Sequence, residues 1–249
     1  MSNSRKMGGL IIANHLFKMY FRINLLKQVG HVRRNIETRF PPLDEFPKSQ
    51  TVTYTFYLGR LQVMAEQYAE AEESLGFALR HCHKDSKANK ARILQYLVPV
   101  RLLRGMFPAP RLLQKYNFPQ FQQAVAAIKA GDLRSYNVVL REHEDFFISR
   151  GIFLILEKLK KLVYRNLIRK VHTIMRNDES VKRKEQIKLS YIRAAFSANG
   201  VEMPEEHFDE IECILANLIY RGYIRGFIAH NKCLVVSAKD PFPKVSSFA

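Results

Sequence analysis

The stretch LEKLKKLVYRNLIRKVHTIMR, residues 156–176, constrains the fold more than any other part of this sequence. Its apolar residues recur at steps of three and four, the period of a buried helical face: Leu156, Leu159, Val163, Leu167, Val171 and Ile174. A second stripe has the same period and carries almost only basic side chains: Lys158, Lys161, Arg165, Arg169, His172 and Arg176. The pattern predicts one long helix that is fixed to a core on one side and strongly cationic on another.

The positive charge of the chain is concentrated around this helix. The net charge is +17 over 249 residues. Residues 158–193 hold twelve Lys or Arg against three acids, whereas residues 194–249 hold five against seven. A focused positive field of this kind indicates an anionic partner, which is nucleic acid, an acidic protein segment or a membrane surface.

Composition narrows the class of protein. Apolar residues make up 47 % of the chain, which is typical of a globular protein. The three cysteines, Cys82, Cys213 and Cys233, are far apart and odd in number, so we expect a reducing compartment, cytosolic or nuclear. No apolar run approaches the length of roughly 18 residues that a membrane helix needs, so no membrane insertion is expected.

The first 150 residues read as helices joined by short loops. Leu10, Ala13, Leu16, Phe17, Tyr20, Phe21 and Ile23 form the apolar face of a first helix, and the proline-rich segment 39–50 is a connection. Residues 57–82 match a tetratricopeptide-like (TPR-like) helical hairpin, with Leu58-Gly59 and then Tyr68, Ala71, Leu75 and Ala78 at its packing positions. One repeat cannot bury its own face, so further helices should stack on it, at 88–104, 118–130 and 132–147.

The C-terminal part has a different pattern. Residues 184–200 read as an amphipathic helix that ends at Gly200, and residues 203–222 as a second helix with Pro204 in its first turn. The apolar face of the second helix is formed by Phe208, Ile211, Leu215, Leu218 and Ile219. Residues 223–237 read as a β-hairpin around His230-Asn231. Two helices followed by a hairpin predict a winged helix, and the tail after it reads as extended.

A helical-repeat array that runs through a long helix into a winged helix is the arrangement of the PCI domain. Several segments also resemble the PCI-domain-containing protein 2 family, the PCI subunits of transcription-export complex 2: NHLFKMYFRIN (14–24), VTYTFYLGR (52–60), ILQYLVPVRLLRG (93–105), HEDFFISRGIFLILEKL (143–159), YRNL (164–167), ECILANLIYRGYIRGFIAH (212–230) and DPFP (240–243). The predicted fold is therefore mainly α, an α-solenoid at 1–149, a connecting helix at 150–178, a winged helix at 179–239 and an extended tail at 240–249. Family members carry further repeats before NHLFKMYF, so we expect this chain to be N-terminally truncated.

The resemblance implies a non-enzymatic scaffold in the nucleus, at the nuclear pore, that couples transcription to mRNA export. In that family the PCI subunit pairs with a larger PCI-containing scaffold, and a small acidic protein stabilises the assembly. The two winged helices lie side by side and present a joint nucleic-acid-binding surface. The alternative is a purely structural PCI subunit of a proteasome-lid, signalosome or translation-initiation assembly, whose basic face meets an acidic protein.

Fourteen basic residues are predicted to contact the phosphates of RNA, double-stranded DNA or both. They are Lys158, Lys161, Arg165, Arg169, Lys170, Arg176, Lys182, Arg183, Lys184, Lys188, Arg193, Arg221, Arg225 and Lys232. Such contacts position a protein on nucleic acid without reading its sequence. The helix that would read bases in a winged-helix repressor begins with carboxylates instead: Glu202, Glu205, Glu206, Asp209, Glu210 and Glu212. Sequence-specific reading of the major groove is therefore not expected.

The sequence offers no catalytic or metal-binding motif that its spacing supports. His81, Cys82 and His83 are consecutive, and consecutive helical residues point about 100° apart, so they cannot converge on one ion. His143-Glu144-Asp145 lacks the HExxH context, and there is no phosphate-binding glycine loop or nucleophile elbow. We therefore expect no cofactor, no metal and no small-molecule substrate.

Overall fold

The computed structural model describes residues 2–179, 181, 183–201 and 208–245, with side chains from residue 8 onward. The chain forms two compact units, Met1–Arg101 and Leu102–Ala249, and each is described by itself. Both units are built mainly from helices, and the strands of the described ranges form one small sheet in the second unit. The prediction of a mainly α fold with TPR-like repeats and a winged helix is confirmed.

The first unit is an array of helices. They are α1 (Ser2–Arg22), α2 (Leu26–Arg39), α3 (Lys48–Met64), α4 (Tyr68–His81) and α5 (Lys87–Leu103), of which α5 continues past the division between the units. The predicted connection at 39–50 is shorter than expected and contains one 3-10 turn, Leu43–Glu45. Leu10, Ala13 and Phe17 are buried as predicted, but Ile23 is exposed because α1 ends one residue before it.

Helices α3 and α4 form the predicted hairpin, and a glycine sets how closely they approach. A Cβ atom added to Gly59 would lie 2.6 Å from Cγ of Leu75, so no larger side chain fits without moving the helices. Ala71, Leu75 and Ala78 are fully buried on the facing side of α4. The prediction of close helix packing at these positions is confirmed, since small residues allow the backbones to approach.

The second unit is organised around one long helix. Its helices are α6 (Pro110–Lys115), α7 (Pro119–Ala130), α8 (Leu133–Glu142), α9 (Glu144–Arg150), α10 (Phe153–Asn177), α11 (Leu189–Ala198) and α12 (Asp209–Tyr220). The predicted helix at 132–147 is wrong as a single element, because the chain turns at His143, which ends α8 and precedes α9. α7 and α8 pack on α10. Gly131, between α7 and α8, allows this close packing. It has a φ of +66°, and an added Cβ atom would lie only 2.5 Å from the backbone N of Leu167 in α10.

The apolar face of α10 forms the central core of this unit. Leu156, Leu159, Val163, Leu167 and Val171 are buried as the period predicts. Ile174 was predicted to continue this face, and that prediction is wrong, because its side chain is 64 % exposed near the end of the helix. The buried face therefore ends before the helix does.

The winged helix contains a three-stranded antiparallel sheet. Its strands are β1 (Gln186–Lys188), β2 (Gly226–Ala229) and β3 (Cys233–Val236), in the order β1-β3-β2. Ile187 and Ile228 both pair with Leu234 in the central strand. The predicted helix at 184–200 is wrong in its first part, where β1 stands. The hairpin turn at His230-Asn231 is confirmed, with Asn231 at a φ of +56°.

Two further predictions concern the ends of this subdomain. α12 is described from Asp209 onward, so the predicted helix start at Pro204 lies outside the described residues. The tail is described to residue 245, and Pro243 is buried there. Among the described residues, no helix combines the length and the apolar character that a bilayer crossing requires.

Candidate nucleic-acid interface

The cationic stripe of α10 is not one uniform surface. Arg169, Lys170 and Arg176 are exposed, and Lys158 and Lys161 are half-buried. Arg165 and His172, which the period places on the same stripe, are only 6 % and 9 % exposed. The expectation of a continuous solvent-facing stripe is therefore wrong at its centre, because the C-terminal segment covers the helix there.

Arg165 fastens that C-terminal segment to α10. Its Nη2 donates to the carbonyl oxygens of Phe242 at 3.0 Å and Pro243 at 2.7 Å. Its Nη1 donates to Oδ1 of Asn166 at 2.7 Å, and Asn166 in turn donates to the carbonyl of Ile128 at 2.7 Å. These three acceptors are neutral, so the contacts leave the charge of the guanidinium in place. Arg165 was predicted to meet a phosphate, but its two Nη groups bind the chain itself, while its buried Nε has no hydrogen-bond partner among the described residues.

The environment of Arg165 is buried and contains charges of both signs. Burial lowers the pKa of its guanidinium and the neighbouring Arg169 lowers it further, while Asp240 and Tyr223 oppose this shift. An arginine remains protonated in spite of such a shift, because its ordinary pKa is so high. A buried positive charge therefore lies directly under the exposed cations of α10.

His172 packs against the same segment and does not add to the charge. Its ring centroid lies 5.6 Å from that of Phe242. Burial lowers the pKa of His172, and Arg176 lowers it further, while a hydrogen bond with the backbone of Lys184 opposes these effects. Since the ordinary pKa of histidine is near 6.5, the imidazole is neutral at pH 7. The stripe thus contains one arginine that is buried and one histidine that is uncharged.

A cleft of about 1000 Å³ opens beside this clamped segment, and we call it the basic cleft. α10 forms one wall, residues 240–245 form another, and the loop at 105–107 and the end of α7 complete it. The cations that line it are Lys129, Arg165, Arg169, Arg176, Arg225 and Lys244. The acid in its lining is Asp240, which pairs with Arg225 at 3.1 Å. The cleft is therefore strongly positive and suited to an anionic chain.

Two cations of the basic cleft were missed by sequence reasoning. Lys129 comes from α7, and its Nζ lies 5.2 Å from the centre of the Phe107 ring. Lys244 comes from the tail and is exposed. Both lie outside the 158–193 segment, and no local pattern links them to it, because only the fold brings them to α10.

Other predicted residues lie elsewhere on the second unit. Lys170 lies near Asp132 at the start of α8, where it adds to the lowering of the Asp132 pKa that hydrogen bonds from Ser135 chiefly cause. Arg193 stacks on the ring of Phe208 at 4.9 Å.

The remaining predicted residues belong to the winged helix. Arg183, Lys184, Lys188, Arg221 and Lys232 are exposed. Lys182 lies outside the described residues. Of the fourteen predicted residues, the basic cleft brings together Arg165, Arg169, Arg176 and Arg225.

The acidic start of α12 makes a contact within its own subdomain. Glu212 accepts a hydrogen bond from the backbone N of Asn231 at 2.7 Å, and its other oxygen lies 2.8 Å from Nδ1 of His230. These bonds lower the pKa of Glu212 and raise the pKa of His230. One acid of the predicted recognition helix therefore braces the hairpin. Asp209 and Glu210 are exposed, and Glu202, Glu205 and Glu206 lie outside the described residues.

The described residues contain no group of three or more His, Cys, Asp or Glu side chains that could hold a metal ion. In the HCH stretch, Cys82 is buried, while the His81 ring stacks on Phe77 at 4.0 Å. His83 lies 3.6 Å from a carboxylate oxygen of Asp85, so the three side chains have separate surroundings.

Comparison with known proteins covers nearly the whole chain. The PCI domain family model matches residues 140–238, and the model of PSMD3-like N-terminal TPR repeats matches residues 3–130. A PCI domain-containing protein 2 homolog of Dictyostelium discoideum is 42 % identical over 98 % of this chain and 55 % of its own length. PCI domain-containing protein 2 of Danio rerio is 42 % identical over 100 % of this chain and 60 % of its own length. A CSN12 homolog of Neurospora crassa is 38 % identical over 96 % of this chain and 55 % of its own length. The chain thus spans just over half the length of these relatives.

Proposed function

This chain belongs to the PCI-domain family, and from that premise we propose that it is a non-enzymatic scaffold subunit that binds nucleic acid through the basic cleft. It would pair with a larger PCI-containing scaffold through its winged helix, with a small acidic protein stabilising the assembly. The place of action would be the nucleus, at the nuclear pore, where such an assembly couples transcription to mRNA export.

The observation that carries the nucleic-acid part is the composition of the basic cleft. Five exposed cations converge there from α7, from α10, from the residue before β2 and from the tail. The buried Arg165 adds a sixth charge. A solvated helix face normally mixes signs, and no such mixing occurs along the α10 wall of this cleft. Phosphates are the partners that such a set of donors satisfies best.

The winged helix supports contact with phosphates rather than with base edges. The exposed acids at the start of α12, Asp209 and Glu210, would be repelled by the backbone of a duplex at the point where a recognition helix enters the groove. Binding should therefore be tolerant of sequence and sensitive to salt.

The direct test is a charge reversal at exposed cations of the basic cleft. We expect Lys129→Glu, Arg169→Glu and Arg176→Glu together to abolish binding in a fluorescence anisotropy titration at low salt. Arg165 is left intact because its loss would disturb the fold. The matched control reverses three exposed lysines of the first unit, Lys18, Lys84 and Lys87, and changes the net charge equally. Equal loss of affinity in both variants would contradict the proposal.

Salt dependence gives an independent measure of the same contacts. Each phosphate contact adds about 0.9 to the slope of log affinity against log salt on duplex DNA, and about 0.7 on a single strand. Partial variants that each reverse one cation of the basic cleft should lower the slope stepwise. An unchanged slope would mean that these side chains do not meet phosphates.

We propose as a second candidate function that the positive surface meets an acidic protein of a proteasome-lid, signalosome or translation-initiation assembly. The match to a protein named a CSN12 homolog supports this candidate. A pull-down from nuclear extract with and without nuclease separates the two. Export-scaffold and nuclear-pore components would support the first function, while lid or signalosome subunits retained after nuclease treatment would support the second.

A further inference from the structure

We propose that the basic cleft accepts single-stranded nucleic acid in preference to a duplex. This inference rests on the proposed function and names the class of ligand for the same site. It follows from three features of the cleft, which are its concave shape, its aromatic side chains and the fixed wall formed by residues 240–245.

The shape of the cleft favours a single strand. Proteins that read duplex DNA send a projecting helix or strand pair into a groove about 12 Å wide. Here the cations do the reverse and line a concavity of about 1000 Å³. That volume is at the upper end of pockets for small ligands, which run from about 300 to 1000 Å³, so it can hold a few nucleotides of a single strand.

Two aromatic rings lie among the cations. Phe107 lines the cleft, is 38 % exposed and has the Lys129 ammonium over its ring. Phe242 also lines the cleft, as part of the 240–245 wall, and its ring lies beside His172. Unpaired bases stack on aromatic side chains while their phosphates meet Lys and Arg, whereas bases within a duplex are already stacked on each other. The combination of rings and cations therefore matches a single strand.

The wall of the cleft is held in place by the protein itself. Arg165 binds the carbonyls of Phe242 and Pro243, and the backbone N of Arg225 donates to the carbonyl of Pro241 at 2.9 Å. The segment is thus attached to both α10 and the start of the sheet. A fixed wall keeps Phe242 beside the cations, so a strand can enter without the site having to assemble first.

The test compares three fluorescent probes of about 12 nucleotides, a length within the site sizes of single-strand-binding domains. They are a single-stranded RNA, the single-stranded DNA of the same sequence, and the DNA duplex. We expect both single strands to bind the full chain about tenfold more tightly than the duplex. The two single-stranded arms then show whether ribose or deoxyribose is preferred, and either result agrees with the proposal.

Substitution of Phe107 gives the decisive readout. Loss of one base–aromatic contact should weaken single-strand binding about tenfold in Phe107→Ala. Phe107→Leu keeps apolar bulk but removes the ring, so it should lose nearly as much, and duplex binding should not change in either variant. The control is Phe227→Ala, an aromatic residue 63 % exposed on β2 and outside the cleft lining, which should bind like the wild type.

The outcomes separate this inference from the function on which it rests. If no probe binds, the proposed nucleic-acid function fails. If the duplex binds as tightly as the single strands, or if Phe107→Ala weakens all three probes equally while its thermal melt is unchanged, the preference for single strands is overturned and the function stands.

Discussion

Helices α10 and α12 lie in the same unit and carry opposite charges, yet both use one charged residue for the fold. On α10, Arg165 fastens the C-terminal segment, while Arg169 and Arg176 are exposed. On α12, Glu212 fastens the hairpin turn, while Asp209 and Glu210 are exposed. The difference is depth. Arg165 is only 6 % exposed and binds two backbone carbonyls and the Asn166 amide, whereas Glu212 has a side chain 16 % exposed and meets a His230 side chain that is 73 % exposed.

This comparison teaches that a charged helical stripe can contain two kinds of residue that its period cannot distinguish. A buried ion is costly unless its hydrogen bonds are satisfied, so Arg165 stabilises the fold only through those bonds. An exposed ion is well solvated and remains available to a partner. The proposed nucleic-acid surface is thus the part of the stripe that stays exposed in the fold.

The largest effect should follow from removal of the buried arginine. Arg165→Met keeps an unbranched apolar stem but removes the guanidinium, so the carbonyls of Phe242 and Pro243 lose their donor. We expect a loss of about 2–4 kcal/mol in the free energy of unfolding, measured by urea denaturation. The matched variant Arg169→Met, on an exposed neighbour, should change stability by less than about 0.5 kcal/mol. Similar losses in the two variants would show that the clamp contributes little.

An intermediate effect concerns the pH dependence of the hairpin brace. The raised pKa of His230 means that its contribution is complete below its ordinary pKa and is lost as pH rises through the raised value. The lowered pKa of Glu212 means that its contribution is complete above its ordinary pKa and is lost as pH falls through the lowered value. The pair should therefore be strongest between about pH 5 and pH 6.5.

An NMR titration of the His230 ring checks this prediction. The pKa should lie above the ordinary value of about 6.5 in the wild type and fall towards it in Glu212→Gln, where Asp209 still raises it. Neutralisation of the exposed neighbour in Glu210→Gln serves as the control and should leave the titration of His230 nearly unchanged. An equal shift in both variants would mean that general field effects, rather than the direct contact, raise the pKa.

The smallest effect should come from the exposed acids of α12. Asp209→Asn with Glu210→Gln removes two negative charges that do not line the basic cleft. Solvent and salt screen such charges over about 10 Å at 0.1 M ionic strength, so affinity for nucleic acid should rise by less than about twofold. A larger rise in the anisotropy titration would mean that the bound strand passes near α12 as well as through the basic cleft.

Much of the fold could be predicted because it depends on local patterns. The period of α10 identified its buried face at five of six positions, and the small residues of the α3–α4 hairpin predicted its close packing. The dipeptide His230-Asn231 marked the hairpin turn, since Asn tolerates the positive φ found there. Each of these signals lies within one or two turns of the chain.

The features that could not be predicted depend on distant partners. Arg165 looks like any other cation of its stripe until residues 242 and 243, 77 and 78 positions later, reach its side chain. β1 is only three residues long, and its sequence continues the apolar period of the helix that follows. It is a strand because it pairs with β3, which lies far away in the sequence. Lys129 reaches the basic cleft through the packing of α7 on α10.

The side chain of Asn199 joins α8 to α11 of the winged helix. Its Oδ1 accepts a hydrogen bond from the backbone N of Leu133, at the first residue of α8, at 3.0 Å, and its Nδ2 donates to the carbonyl of Ala195 in α11 at 2.8 Å. The amide hydrogen of Leu133 is thus protected by a residue 66 positions later. It should exchange with solvent only when the α8–α11 junction opens, so its exchange rate reports how often α8 and the winged helix separate there.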